Sequence, residues 1–91
     1  MYKVVPSTRF KKDMKTLAKR GYDVSLIEEV VTILAKGKKL PPKHKDHAMS
    51  GQWVGFRDCH ITPDWVLIYK IEKKILVLAL TRTGTHSDLE I

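Results

Sequence analysis

The stretch that decides the fold runs from Gly51 to Leu89 and reads GQWVGFRDCHITPDWVLIYKIEKKILVLALTRTGTHSDL. Three segments of it have the apolar and β-branched content typical of strands, namely residues 52–58, 65–71 and 75–81. Thr62-Pro63-Asp64 has the turn chemistry of a first connection, and Glu72-Lys73-Lys74 supplies a second. The middle segment is apolar on both faces, which indicates a central strand covered on both sides. The stretch therefore predicts three strands joined by two hairpins.

The hairpins predict where the unusual polar residues meet. Strands joined by tight connections pair antiparallel, so the first strand ends where the second begins, and the third ends at that same edge. His60 and Asp64 flank the first connection, whereas Arg82 and His86 follow the last strand. We therefore expect these four side chains to lie together at one end of the sheet.

This set of side chains is suited to cleaving RNA. RNA carries its own nucleophile, the ribose 2′-hydroxyl, and its cleavage needs a base, an acid and positive charge near the phosphate. Histidine titrates near neutrality and serves as acid or base, aspartate acts as a base or orients a histidine, and arginine offers a fork to phosphate. The sequence thus predicts a metal-free site for RNA cleavage.

Taken singly, each of these residues has a simpler interpretation. Asp64 after a proline is typical of a turn residue that caps a backbone amide. His60 fits a core histidine, and Trp65 is more typical of a core than of a base-stacking platform. For Arg57 and Asp58 we favour a cross-strand ion pair that stabilises the sheet. Only their convergence on one edge of a basic domain favours a site.

A zinc site is the alternative chemistry. The candidate ligands are Cys59, His60, His86, His44 and His47. The spacing argues against zinc, because His44-x-x-His47 follows two prolines in a loop rather than lying on a helix, and no second cysteine is present. Without further context, His44 and His47 are expected to be surface residues.

The N-terminal half predicts a strand and two helices. Tyr2–Val5 reads as an edge strand because Pro6 cannot continue a ladder. Ser7 is a suitable N-cap for a helix that ends near Gly21, and Asp23 or Ser25 starts a second helix that Gly37 stops. Residues 36–50 show no periodicity and predict a basic loop. The expected fold is one domain over residues 1–91, of the α+β class, with helices on an antiparallel sheet in the order β-α-α-β-β-β.

Composition narrows the function classes. The chain has 91 residues and a formal net charge of +7, with a pI near 9.7, which is the electrostatic footprint of a nucleic-acid binder or of a protein that docks on an acidic partner. A single cysteine suits a reducing compartment, so a cytoplasmic location is expected. The N-terminus lacks a signal-peptide pattern, and no apolar run is long enough to span a membrane.

Four segments of the chain resemble the YafQ group of bacterial RelE-type toxins, which belong to type II toxin–antitoxin systems. They are Lys45-Asp46-His47, Gly51-x-Trp53-x-Gly55-Phe56-Arg57-Asp58-Cys59-His60, Pro63-Asp64-Trp65-x-Leu67-Ile68-Tyr69 and Arg82-Thr83-Gly84-Thr85-His86-Ser87-Asp88-Leu89. The match is dense over about half of the chain, and the order of the N-terminal elements also fits.

The resemblance implies a ribosome-dependent endonuclease that cuts mRNA in the decoding site, needs no cofactor and is silenced in a complex with a cognate antitoxin. It also implies roles for matched positions. The implied catalytic group is His47, His60, Asp64, Arg82 and His86. Residues implied to bind substrate or support the site are Trp65, Lys45 and Arg57. Within the catalytic group, Arg82 is the implied phosphate stabiliser. We expect Asp64 or His60 to be the base and His86 the acid, and the alternative is the same group with the two roles exchanged.

One position departs from the family pattern. The family usually has an aromatic residue one position past Leu89, whereas this chain has Glu90. The departure keeps open a second hypothesis, a basic RNA- or ribosome-binding protein that blocks translation without cutting. A third hypothesis, docking on a protein target such as gyrase, does not require the acid–base set.

Overall fold

A five-stranded sheet with three helices makes up the computed structural model, which describes residues Met1–Ile91. The strands are β1 (Lys3–Pro6), β2 (His47–Ala48), β3 (Arg57–Thr62), β4 (Trp65–Glu72) and β5 (Val77–Thr85). The helices are α1 (Thr8–Lys19), α2 (Val24–Ala35) and the short α3 (His86–Leu89). The strand order across the sheet is β1-β5-β4-β3-β2. None of the helices has the length and apolar character needed to cross a bilayer.

The two long helices begin and end at residues with local capping chemistry. The Ser7 hydroxyl accepts a hydrogen bond from the Phe10 amide at 2.9 Å, as the sequence predicted for the start of α1. Of the two predicted starts of α2, Asp23 is the cap, because its carboxylate accepts from the Ser25 amide at 3.0 Å. Gly21 has a positive φ just past the end of α1, where glycine is favoured.

The main core lies between the helices and one face of the sheet. Trp65, Leu67 and Tyr69 of β4 are each at most 1% exposed there. They pack with residues from both helices, among them Phe10, Leu17, Ile27, Val30 and Leu34. The intervening residues Val66 and Ile68 are also fully buried, but in a smaller cluster on the opposite face. The prediction of a central strand covered on both sides is confirmed.

The predicted α+β class is confirmed, and the hairpins β3–β4 and β4–β5 are antiparallel as expected. The sheet as a whole is mixed, because β1 lies parallel to β5. That pairing joins the two ends of the chain across the helices, and no local pattern signals it. The structure also adds β2 and α3, which the sequence analysis did not predict.

Of the strands, β3 and β5 differ most from the prediction in their bounds. β3 begins at Arg57 rather than at residue 52, because residues 51–53 form a 3-10 turn and both Gly51 and Gly55 have positive φ. β5 covers residues 77–85 rather than 75–81, since Ile75 and Leu76 lie exposed in the preceding turn. β5 therefore runs directly into α3, so His86 is the first residue of that helix.

Candidate active site

The sheet face away from α1 and α2 carries a group of polar side chains. Residues paired across neighbouring strands point to the same face. His60 pairs with Val66, and Asp58 pairs with Ile68. Both partners belong to the apolar cluster on that face, so the imidazole and the carboxylate lie on it as well. β2 adds His47, which pairs with Asp58 at the edge of the sheet.

Asp64 and His86 form a carboxylate–imidazole pair at the end of the sheet. His86 donates from Nδ1 to Asp64 Oδ1 over 2.7 Å, and its backbone amide lies 3.3 Å from the same oxygen. Because a carboxylate only accepts, Nδ1 carries the hydrogen and Nε2 is left for substrate. The hydrogen bond from His86 holds the pKa of Asp64 below its usual value. The Thr85 hydroxyl caps α3 and so fixes the backbone at His86.

His60 completes a pair of imidazoles. Its ring centroid lies 5.2 Å from that of His86, with the rings nearly perpendicular at 78°. Partial burial lowers the pKa of His60, and the nearby His86 lowers that pKa further. The lowered pKa favours the neutral form of His60, which is the form that accepts a proton.

Asp58 is a buried carboxylate facing the imidazoles. It is 6% exposed, and its Oδ1 lies 3.2 Å from His47 Nδ1. The contact between His47 and Asp58 is not a hydrogen bond, because the hydrogen on His47 Nδ1 is donated to the Lys45 carbonyl at 2.8 Å. Asp58 Oδ1 therefore has no hydrogen-bond partner. Burial raises the pKa of Asp58, and the histidines oppose that rise, His47 most strongly. Asp58 thus belongs to the site, although the sequence analysis did not place it there.

The predicted Arg57–Asp58 ion pair is wrong. Adjacent residues of a strand point to opposite faces, and Arg57 pairs with Tyr69 on the side of the helices. There its Nε donates to Asp46 at 3.3 Å. Arg57 therefore lies on the far face from the imidazoles.

His44 also differs from its predicted surface position. It is only 9% exposed, and its Nδ1 donates to the backbone carbonyl of His60 over 2.6 Å. This bond fixes the strand at His60 from the neighbouring loop. The sequence signal that could have revealed it is the pair of prolines before His44, which holds the loop in a 3-10 turn.

Trp65 and Lys45 lie behind and beside the site. Trp65 is 1% exposed, and its Nε1 donates to the Thr83 hydroxyl at 2.8 Å. Its indole also packs edge-on against Tyr22. The side chain therefore supports β4 and β5 from the core side of the sheet. Lys45 contributes its carbonyl to His47 from a left-handed backbone conformation.

Arg82 pairs with Ile68 in the sheet, so its side chain leaves β5 on the face that carries the histidines. Its guanidinium does not lie among them. Asp13 of α1 holds it, with Nε donating to Oδ2 at 2.8 Å and Nη2 donating to Oδ1 at 3.2 Å. These hydrogen bonds raise the pKa of Arg82 above its usual value. The structure thus brings together His47, Asp58, His60, Asp64 and His86, with Arg82 held to one side.

The zinc set considered from the sequence is divided between two faces. Cys59 pairs with Leu67 and lies fully buried in the core on the helix side. Burial also raises the pKa of its thiol, which disfavours the thiolate that binds metals. No group of three or more His, Cys, Asp and Glu side chains is placed to hold a metal ion.

Comparisons with known proteins identify the family to which the chain belongs. Residues 2–91 match the family described as bacterial toxin of type II toxin–antitoxin system, YafQ. The chain belongs to the YafQ family of bacterial toxins. It is 42% identical over 84 residues to the mRNA interferase toxin YafQ of Escherichia coli strain K12, covering 91% of this chain and 89% of that protein.

Solved structures of bacterial toxins have the same fold. A metal-bound toxin from Helicobacter pylori superposes with a TM-score of 0.92 at 44% identity, covering 98% of this chain and 99% of that one. The toxin in the DinJ–YafQ complex of E. coli superposes with a TM-score of 0.89 at 38% identity, covering 98% of each chain. The family placement suggested by the sequence motifs is therefore confirmed.

Proposed function

We propose that this YafQ-family toxin is a ribosome-dependent endoribonuclease that cleaves mRNA in the decoding site by attack of a ribose 2′-hydroxyl on the adjacent phosphate. The observation that carries the proposal is the placement of His60 beside His86, with ring centroids 5.2 Å apart, while the Asp64 carboxylate orients His86. The name mRNA interferase of the E. coli relative supports the same activity.

In the proposed reaction, His60 takes the proton of the 2′-hydroxyl while the 2′-oxygen forms a bond to phosphorus. The bond from phosphorus to the 5′-oxygen breaks, and His86, which must enter this step as the imidazolium with a hydrogen on each nitrogen, donates the Nε2 proton to that leaving oxygen and keeps its Nδ1 hydrogen bond to Asp64. The products are a 2′,3′-cyclic phosphate and a 5′-hydroxyl end. Asp64 is the alternative base, but its carboxylate is engaged at 2.7 Å with His86, which favours an orienting role.

The remaining charged residues, Arg82 and Asp58, have proposed roles beside the acid and the base. Arg82 retains N–H donors beyond those bound to Asp13 and is proposed to stabilise the charge that builds up on the phosphorane. Asp58 faces His60 and is proposed to stabilise the positive charge that His60 gains when it accepts the proton of the 2′-hydroxyl. Together with the acid and the base, these groups complete the chemistry without a metal ion.

The proposed partners follow from charge and family. A net charge of +7 favours contact with ribosomal RNA, and that affinity is expected to fall steeply with salt. The E. coli relative is found in a DinJ–YafQ toxin–antitoxin complex. We propose that a cognate antitoxin with an acidic binding segment silences this toxin in a hetero-oligomer, since complementary charge speeds association.

The test is single-turnover cleavage of a short mRNA on purified ribosomes, with magnesium retained and a chelator of transition metals added. We expect the wild type to cut, and His60→Gln and His86→Gln each to lower the rate by about 100- to 10,000-fold. Asp23→Asn, a change at an exposed helix cap, serves as the control and should cut at the wild-type rate.

Two outcomes would contradict the proposal. Cleavage at the wild-type rate by both histidine variants would exclude His60 and His86 as the base and the acid. Ribosome stalling with intact transcripts in the wild type would favour a translation inhibitor that acts by occupancy, the interpretation that Glu90 keeps open.

A further inference from the structure

The edge of β5 is completed by α1 at the point where β1 ends. The parallel pairing of β1 with β5 stops at Pro6, opposite Leu80. Beyond it, the Ser7 hydroxyl donates to the Thr81 carbonyl at 2.8 Å. The Asp13 carboxylate then accepts from the Thr83 amide at 3.1 Å. Two side chains of the helix region thus satisfy backbone groups that an edge strand would leave unpaired.

Arg82 lies between these two anchored positions. β5 has a bulge there, because Ile68 pairs with Arg82 while the next residue, Tyr69, pairs with Leu80. Bulges re-aim side chains and are common beside active sites. Both oxygens of Asp13 bind the guanidinium, and the side chains of Arg82 and Asp13 are only 20% and 11% exposed.

Asp13 fixes the guanidinium of Arg82 and leaves part of its N–H donors for a substrate. A guanidinium has five N–H donors, and Asp13 occupies one on Nε and one on Nη2. The remaining donors keep a fixed direction, because the planar fork cannot rotate while the carboxylate binds two of its nitrogens. We propose that Asp13 is a positioning residue, which holds Arg82 in the orientation that meets the phosphate of the RNA substrate.

The fold does not depend on this contact alone. α1 is also tied to the C-terminal segment by Arg20, whose Nη1 lies 2.8 Å from Asp88. Phe10 and Leu17 anchor the same helix in the main core. Loss of the Asp13 carboxylate should therefore release the arginine while α1 stays in place.

The inference rests on the proposed role of Arg82, so the test is a double-mutant cycle that examines both. The variants are Asp13→Asn, Arg82→Ala and the double variant, assayed by single-turnover cleavage on ribosomes over a range of ribosome concentrations. Asparagine keeps an acceptor for the Thr83 amide but loses the charge and the second acceptor for the guanidinium. Thermal melting of each variant reports the stability of the fold.

We expect Asp13→Asn to lower the maximal cleavage rate by about 10- to 100-fold, as misplacement of a catalytic group does. The ribosome concentration for half-maximal rate should stay unchanged. The double variant should be no slower than Arg82→Ala, because Asp13 acts through the arginine. The control is Arg9→Ala, which removes an exposed neighbour of Asp13 at 3.8 Å and should cleave at the wild-type rate.

Each contrary result has a separate meaning. A slow Arg82→Ala with a fully active Asp13→Asn would overturn the positioning role and leave the arginine's role intact. An Arg82→Ala variant that cleaves at the wild-type rate would show that the arginine has no role in cleavage, and the positioning role of Asp13 would then be overturned as well. A double variant slowed by the product of the two single effects would show that Asp13 acts independently. An Arg9→Ala variant as slow as Asp13→Asn would assign the loss to the broken Arg9–Asp13 pair on α1, and the positioning of Arg82 would be overturned.

Discussion

Replacing Trp65 by phenylalanine distinguishes support of the site from stacking on the substrate. The indole donates to the Thr83 hydroxyl at 2.8 Å, and that hydroxyl in turn donates to the Val66 carbonyl at 2.8 Å. Phenylalanine removes the indole donor, so the buried hydroxyl oxygen no longer accepts a hydrogen bond, although it still donates to Val66. This loss costs about 1–2 kcal/mol. The smaller ring also leaves a void near Tyr22, which adds about 1 kcal/mol.

The Trp65→Phe variant should therefore lose about 2–3 kcal/mol of stability, which corresponds to a fall of about 10–20 °C in the melting temperature of a domain of this size. Urea unfolding and thermal melting measure the loss. The matched control is Trp53→Phe on the other face, where the ring packs against Phe56 and takes part in no side-chain hydrogen bond. That variant should lose about 1 kcal/mol or less.

Cleavage is then measured at a temperature at which both variants are folded. If Trp65 supports the sheet from its core side, the folded Trp65→Phe variant should cut mRNA within a few-fold of the wild-type rate. A stability loss below about 1 kcal/mol would refute the buried hydrogen-bond chain. A large loss of cleavage by the fully folded variant would instead place the indole against the RNA.

Two further predictions concern protonation at the site. The pKa of His60 is lowered and its neutral form is the proposed base, so the rising limb of the pH–rate profile should lie below the ordinary histidine value of about 6.5; a limb above that value in the wild type would contradict the assignment. Burial raises the pKa of Asp58 in the folded protein above its value in the unfolded chain. The free energy of unfolding therefore falls as the pH rises through these two pKa values, and at pH 7 the buried carboxylate charge destabilises the fold. Asp58→Asn should then be more stable by about 1 kcal/mol at pH 7 and slower in cleavage, and a lower melting temperature would refute this.

The sequence predicts those parts of the fold that depend on local signals. Ser7 caps the first helix, as its residue type indicates. The Pro63-Asp64 turn brings Asp64 close to His86 because the hairpins β3–β4 and β4–β5 share the strand β4. The predicted convergence of His60, Asp64 and His86 is present in the structure. The roles of these residues in catalysis stay predictions.

The remaining features depend on register or on distant pairing. β3 starts later than its sequence pattern predicts, because the segment that begins at Gly51 forms a 3-10 turn. A shift of one residue changes the face on which a side chain lies, and the sequence analysis did not assign Arg57 and Asp58 to opposite faces. The partner of Arg82 is Asp13, 69 residues away. Their contact depends on the parallel pairing of β1 with β5, which no local pattern reveals.

The most direct test of the proposed mechanism uses an mRNA with a single 2′-deoxynucleotide on the 5′ side of the cleaved bond. The ribose hydroxyl is the proposed nucleophile, so this mRNA should remain uncut on ribosomes. The matched all-ribose mRNA should give a 2′,3′-cyclic phosphate and a 5′-hydroxyl end. Cleavage of the deoxy-substituted mRNA at the same bond, or products with a 5′-phosphate, would contradict the account.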